Sequence, residues 1–159
     1  MSGNTRSVPE RWKALRTAVG PVDPAALDEL WGDLEPVAAS SILGNWRGSA
    51  FRTGHPVERM LDVSHWHGKR FVALDDAQPL ICRGADGALH SDTAAGRGKA
   101  SLWNVEFRGE VTATMVYDGL PVFDHFKKVD DSTLLGVMNG KAPAVSAGGY
   151  LFYFALERE

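Results

Sequence analysis

From Ala100 onward the chain runs in short stretches of apolar and β-branched residues broken by links of one or two residues. Ser101 to Phe107, Glu110 to Asp118 and Leu120 to Val129 are separated only by Arg108-Gly109 and Gly119. Links that short leave room for antiparallel neighbours and nothing else. Asp130 to Thr133 then reads as a turn into Leu134 to Asn139, Gly140 to Gly149 as a loop, and Tyr150 to Leu156 as a closing aromatic strand. Strands at such regular spacing predict a meander closed, or nearly closed, into a barrel.

The same period of two appears earlier, in Leu43 to Arg52. One face carries Gly44, Trp46, Gly48 and Ala50, and the other carries Asn45, Arg47 and Ser49. An indole between residues with almost no side chain suits a strand whose inner face meets something bulky. Before it, two helices are expected. Pro9 to Val19 has Ser7 as cap and Trp12, Leu15 and Val19 on one stripe; a second follows Asp23 as N-cap and Pro24 at the first position, with Leu27, Leu30, Trp31 and Leu34 on one face. After the strand, Thr53 to Pro56 caps a short helix whose inner face holds Val57, Met60, Leu61 and Ser64. Trp66 to Phe71 is extended, Asp75 to Pro79 reads as a loop, and Leu80 to Arg83 with Ala88 to Ser91 form a hairpin around Gly84 to Gly87.

Composition excludes several classes. A net charge of −3 with both signs interspersed offers no basic field for a phosphate backbone, so nucleic acid is not an expected partner. The single cysteine, Cys82, cannot close an internal disulfide, and Met1 to Ser7 lack the apolar core of a secretory signal. With no apolar run near the roughly 18–20 residues of a membrane span, the expectation is a cytoplasmic protein. Whether it forms a homodimer stays open.

Gly44-Asn45-Trp46-Arg47-Gly48 resembles the signature of the bacterial GXWXG-domain family, and Trp66 to Phe71 with Pro79-Leu80 is similar to the rest of that domain. Ala113 to Asp118, Asp124 to Asp131 and Leu135 to Met138 resemble the uncharacterised companion domain that usually follows it. The two capped helices make a helical extension over 1–38, and the resemblance covers roughly the rest, a β-barrel domain over 39–159 with its GXWXG part at about 40–95 and its companion at about 98–157. A GXW near the start of the first strand is also similar to calycin-like barrels: lipocalins, fatty-acid-binding proteins and nitrobindins. The fold expectation is therefore mainly β, an antiparallel calycin-like barrel with N-terminal helices packed on it. Nitrobindins hold haem through a histidine near the C-terminus, and Tyr150 to Glu159 contains none, so no cofactor is expected.

Asp124 and His125 interrupt an otherwise apolar strand of Val122, Phe123, Phe126 and Val129. Adjacent side chains point to opposite faces, so one of the two faces the interior, and the alternation leaves open which. An inward Asp124 is an acid in an apolar cavity, raised in pKa and able to donate a proton. An inward His125 is a general acid or base near neutral pH. His65-x-His67 has the spacing of two ligands on one strand face, but no third ligand follows, and a metal is not expected.

The lining of the cavity would draw on Trp46, Trp66, Phe71, Met115, Tyr117, Phe126 and Met138. The expected function is binding of a small hydrophobic molecule. It goes with a cofactor-independent lyase or isomerase activity in which an acid opens a strained oxygen ring such as a terpenoid epoxide. The alternative is a non-enzymatic carrier or sensor of a lipophilic ligand.

Overall fold

The computed structural model describes residues 5–142 and 145–159. Helix α1 spans Val8–Arg16 and opens on a capping box, in which Ser7 Oγ accepts from the Glu10 amide and Glu10 reaches back to the Ser7 amide. It ends three residues before Val19, because Thr17 turns its hydroxyl back onto the Lys13 carbonyl; Val19 is therefore fully exposed rather than on the packed stripe. Helix α2, Pro24–Asp33, starts where Asp23 accepts from the Ala25 amide, and it buries Leu27, Leu30 and Trp31. No helix among the described residues is long and apolar enough to cross a membrane.

Among the described residues eleven strands form one antiparallel sheet: β1 Glu35–Pro36, β2 Gly44–Ala50, β3 Trp66–Ala73, β4 Asp76–Arg83, β5 Leu89–Ser91, β6 Ala100–Phe107, β7 Glu110–Tyr117, β8 Val122–Asp130, β9 Thr133–Gly140, β10 Ser146–Ala147 and β11 Tyr150–Arg158. The pairings run β8–β7–β6–β4–β3–β2–β11, and β9 lies against both β11 and β8, so they come back to the strand they started from. The weak joint is β4–β6, held through Ala77 opposite Ala100 and by Leu102 donating to the Leu74 carbonyl.

Three sequence expectations need correction here. The expected barrel of about eight to ten strands gains two-residue pieces, β1 and β10, whose pairing depends on tertiary placement. Asp75 to Pro79 is not a loop: Leu74-Asp75 turns tightly and β4 begins at Asp76. The segment Gly140 to Gly149 holds β10, and residues 143 and 144 within it lie outside the described residues.

Two cores result. The inner face of the sheet packs Trp46, Phe71, Met115, Phe126, Phe154 and Leu156 together. The outer face of β9 and β11, through Leu135, Val137, Tyr153 and Ala155, packs against α1 and α2.

The two glycines around Trp46 have steric causes. A Cβ on Gly44, which sits at φ 127°, would lie 2.9 Å from the Arg158 guanidinium, and one on Gly48 would lie 2.1 Å from the Trp66 ring. Arg158 covers the Trp46 ring at 4.2 Å and donates to the carbonyls of Leu43 and Ser41, while Trp46 Nε1 donates to Ile42 O. Trp46 is thus buried, as its alternation predicts.

Candidate functional site

Strand β8 fixes the site because its two neighbours set its faces. Asp124 lies opposite Met115 of β7 and Met138 of β9, both in the inner core. His125 lies opposite Thr114 and Val137, on the outer face. The alternatives that the sequence leaves open resolve to Asp124 inside and His125 outside.

Inside, Asp124 Oδ2 stands 2.9 Å from Lys69 Nζ, and both side chains are only 3% exposed. Lys69 comes from β3, where strict alternation would put Trp66 and Lys69 on opposite faces. A bulge prevents this. Trp66 pairs with Cys82 and Gly68 with Ile81, so His67 is the extra residue, and alternation restarts after it. The close approach needs glycine, since a Cβ on Gly68 would lie 1.9 Å from the Trp46 carbonyl oxygen. A compensating shift in β4 falls at Pro79-Leu80, where a residue without an N–H is tolerated. Lys69 donates to Pro79 O at 3.4 Å, and its ammonium sits 5.1–5.9 Å from the ring centres of Phe154, Trp66 and Tyr117.

Burial pushes the Asp124 carboxyl above its ordinary value, against the charge and hydrogen bond of Lys69. Burial first and the Asp124 charge second hold the Tyr117 phenol well above its ordinary value, so it stays a protonated donor. Its hydroxyl finds no hydrogen-bond partner among the described residues. Between these groups lies a cavity of about 30 Å³, walled otherwise by Val57, Leu61, Leu80, Met138, Phe152 and Phe154. That is room for little more than a water molecule.

Helix α3, Val57–Val63, forms the cavity's cover. It buries no residue fully, and Met60, expected on its inner face, is 67% exposed, because a seven-residue helix over the cavity turns only Val57 and Leu61 inward.

Outside, His125 is held on every side. Its ring stacks on Phe107 at 4.1 Å, Nδ1 meets Thr114 Oγ1 at 2.7 Å, and Nε2 meets Asn139 Nδ2 at 3.0 Å. Thr114 already donates to Thr112 O, so the network assigns the ring proton to Nδ1. Burial, with Arg108 nearby, pushes the pKa of His125 down to about 4.

Of the expected lining residues, Trp66, Tyr117 and Met138 reach the cavity. Phe71, Met115 and Phe126 form the packed floor of the inner core, with the Phe71 and Phe126 rings 5.7 Å apart. Trp46 seals the other end, beside a hollow of about 170 Å³ bordered by Lys128, Asp130, Asp131 and Arg158. His65 and His67 do not share a strand face. His65 sits in the preceding turn at φ 52°, and His67, the bulge residue, meets Glu159 at 2.6 Å. Among the described residues no group of three His, Cys, Asp or Glu side chains has metal-binding geometry. Lys69 is the residue that sequence reasoning missed; Gly68 beside it was the signal that alternation breaks.

Family models match two parts of the chain: the GXWXG protein family over residues 29–87 and a domain of unknown function, DUF4334, over residues 98–158. The chain is similar to a crystal structure of a protein from Thermomonospora curvata, at 36% identity over 96% of this chain and 98% of that one, with a TM-score of 0.85. No curated protein matches.

Proposed function

The chain belongs to the GXWXG family and carries the DUF4334 companion, and we propose that its ring of strands is a calycin-like barrel that binds a small hydrophobic molecule and isomerises it without a cofactor. One observation carries the reading: a lysine and a carboxylate paired at 2.9 Å in an otherwise apolar interior. A buried ion pair adds little to stability compared with apolar residues of the same volume. As chemistry it places a proton donor beside a proton acceptor, which is what opening a strained ether needs.

In this mechanism the Lys69 ammonium protonates the oxygen of a hydrophobic epoxide, such as that of a terpenoid. The C–O bond breaks, and the electron pair stays on oxygen. The faces of Trp66 and Phe154 stabilise the cation that develops on carbon. Asp124 then takes a proton from the neighbouring carbon, leaving an unsaturated alcohol, and returns that proton to Lys69. Atoms balance, and no water enters. Because the cavity holds only about 30 Å³, the substrate enters by displacing α3, which puts Val57 and Leu61 on the wall and buries no residue fully.

The test is turnover of terpene epoxides by the purified protein, followed by gas chromatography. Asp124→Asn and Lys69→Met should each lower kcat by roughly 10²–10⁴-fold. Turnover that survives both changes overturns the assignment, and tight binding without any turnover makes the protein a carrier instead.

A further inference from the structure

We infer that the interior site selects lipophilic molecules bearing one neutral acceptor oxygen and rejects carboxylates, with Asp124 as the residue that sets this preference. The inference rests on the interior binding proposed above and goes further, to the class of ligand. Three observations carry it.

The cavity contains one ammonium, Lys69, and it is already neutralised by Asp124 at 2.9 Å, with both groups out of water. A ligand carboxylate entering here would meet a paired cation and a like charge on Asp124. It would lose its hydration without gaining a counter-ion. A fatty acid is therefore a poor occupant, although the cavity walls are apolar.

The site does offer donors. Tyr117 lines the cavity, and no hydrogen bond joins its hydroxyl to a described residue. It stays protonated because burial and the Asp124 charge both disfavour the phenolate. Lys69 spends one N–H on Asp124 and one, at 3.4 Å, on Pro79 O. Its third faces the ring of aromatic side chains. Two donor-bearing side chains, Lys69 and Tyr117, on the wall of one largely apolar space match a ketone, aldehyde or ether oxygen.

Specificity then follows from what the site leaves unpaired. A hydrocarbon of the same shape fills the space but leaves the Tyr117 hydroxyl unsatisfied, whereas a ketone satisfies it. A net hydrogen bond of this kind corresponds to roughly 3-fold to 10-fold in affinity. Removing the Asp124 charge reverses the other half of the preference, because Lys69 is then a free cation facing the cavity.

Isothermal titration calorimetry with menthane, menthone and menthane carboxylate, which share one carbon skeleton, tests this. Wild type should bind menthone more tightly than menthane, and the carboxylate most weakly. Tyr117→Phe should cancel most of menthone's advantage and leave menthane affinity unchanged. Asp124→Asn should raise affinity for the carboxylate at least 10-fold while changing menthane little. Should Asp124→Asn fail to fold, the wild-type ranking and Tyr117→Phe still decide. Menthane binding with menthone no tighter, or a carboxylate preferred by wild type, overturns the inference and leaves interior binding standing. Failure of all three probes to bind overturns both.

Discussion

Strand β8 turns Asp124 to one side and His125 to the other, and the two sides are covered by unlike helices. On the outer side α2 buries Leu27, Leu30 and Trp31 against β9 and β11, and Lys127 Nζ ties its last turn by donating to the Trp31 carbonyl at 2.9 Å. On the inner side α3 buries nothing fully and leaves Met60 and Val63 exposed at 67% and 72%. The polar groups differ in the same sense. Both nitrogens of His125 have partners and its ring is stacked, whereas the Tyr117 hydroxyl beside Asp124 has no partner, and a void remains next to it. Two adjacent residues in one strand thus differ: the ring of His125 has both nitrogens paired without a ligand, whereas no hydrogen bond joins the Tyr117 hydroxyl on the inner side to a described residue; the outer core keeps one unpaired donor of its own, Trp31 Nε1. That contrast is why the proposed site uses Asp124 and not the histidine with the more familiar chemistry.

The largest effect should come from breaking the inner pair. Lys69→Ala leaves a buried carboxylate without its cation, a change that costs about 3–5 kcal/mol. The double change Lys69→Met with Asp124→Leu should recover most of that loss, since apolar side chains of similar volume need no partner. Urea unfolding of wild type and the two variants measures it. A single substitution costing less than about 1 kcal/mol would mean that the pair is solvated and the inner side no different from a surface.

Next in size is Gly48→Ala, whose new methyl falls 2.1 Å from the Trp66 ring and forces it off its place against Phe154. Overpacking of this kind costs roughly 1–3 kcal/mol, and it should also shift the tryptophan fluorescence. An unchanged melting temperature would show that the inner wall yields more readily than its packing indicates.

These features were unequally legible. The second helix is written in Asp23-Pro24 and in Leu27, Leu30 and Trp31, because capping and amphipathic period are local properties. The burial of Trp46 follows from alternation with small neighbours, and so does the separation of Asp124 from His125. Which of the two faces inward was not legible, since period two fixes opposition but not sign. Lys69 was hidden for a different reason: the bulge at His67 resets the alternation that any reading of β3 relies on, and its position is set by pairing with β4. Met60 misled because an apolar residue at helical spacing is expected to be buried, yet α3 is too short to bury a whole stripe.

A smaller effect separates the two sides by pH. His125 has a pKa of about 4 in the fold against an ordinary 6.5. Above 6.5 it is neutral folded or unfolded; as the pH falls toward 4 the unfolded chain takes a proton that the folded one refuses, so stability is lost across that window. The Asp124 carboxyl is raised above its ordinary 3.8, so its contribution is present in acid and lost as the pH rises through its folded value. His125→Gln should flatten the acid limb of melting temperature against pH, and Asp124→Asn should steepen it. Variants that tilt the limb in the same sense would contradict the assignment of one group to each environment.

The smallest change in stability should come from the most informative contact on α3. Arg52 clamps this helix with a bidentate pair to Asp62, 2.8 Å at each oxygen, and the pair is exposed. Exposed pairs contribute little to global stability, so Arg52→Ala should leave the melting temperature within experimental error. Local opening is a different matter. With few buried contacts to hold it, α3 opens at low free energy, and losing the clamp should speed hydrogen exchange across Val57–Val63 while α2 amides stay protected. If α3 is the way into the cavity, association and dissociation of a probe such as menthone should accelerate together, leaving affinity nearly constant. Exchange in α3 as slow as in α2, before and after the substitution, would remove the contrast between the two covers and with it the route proposed for the substrate.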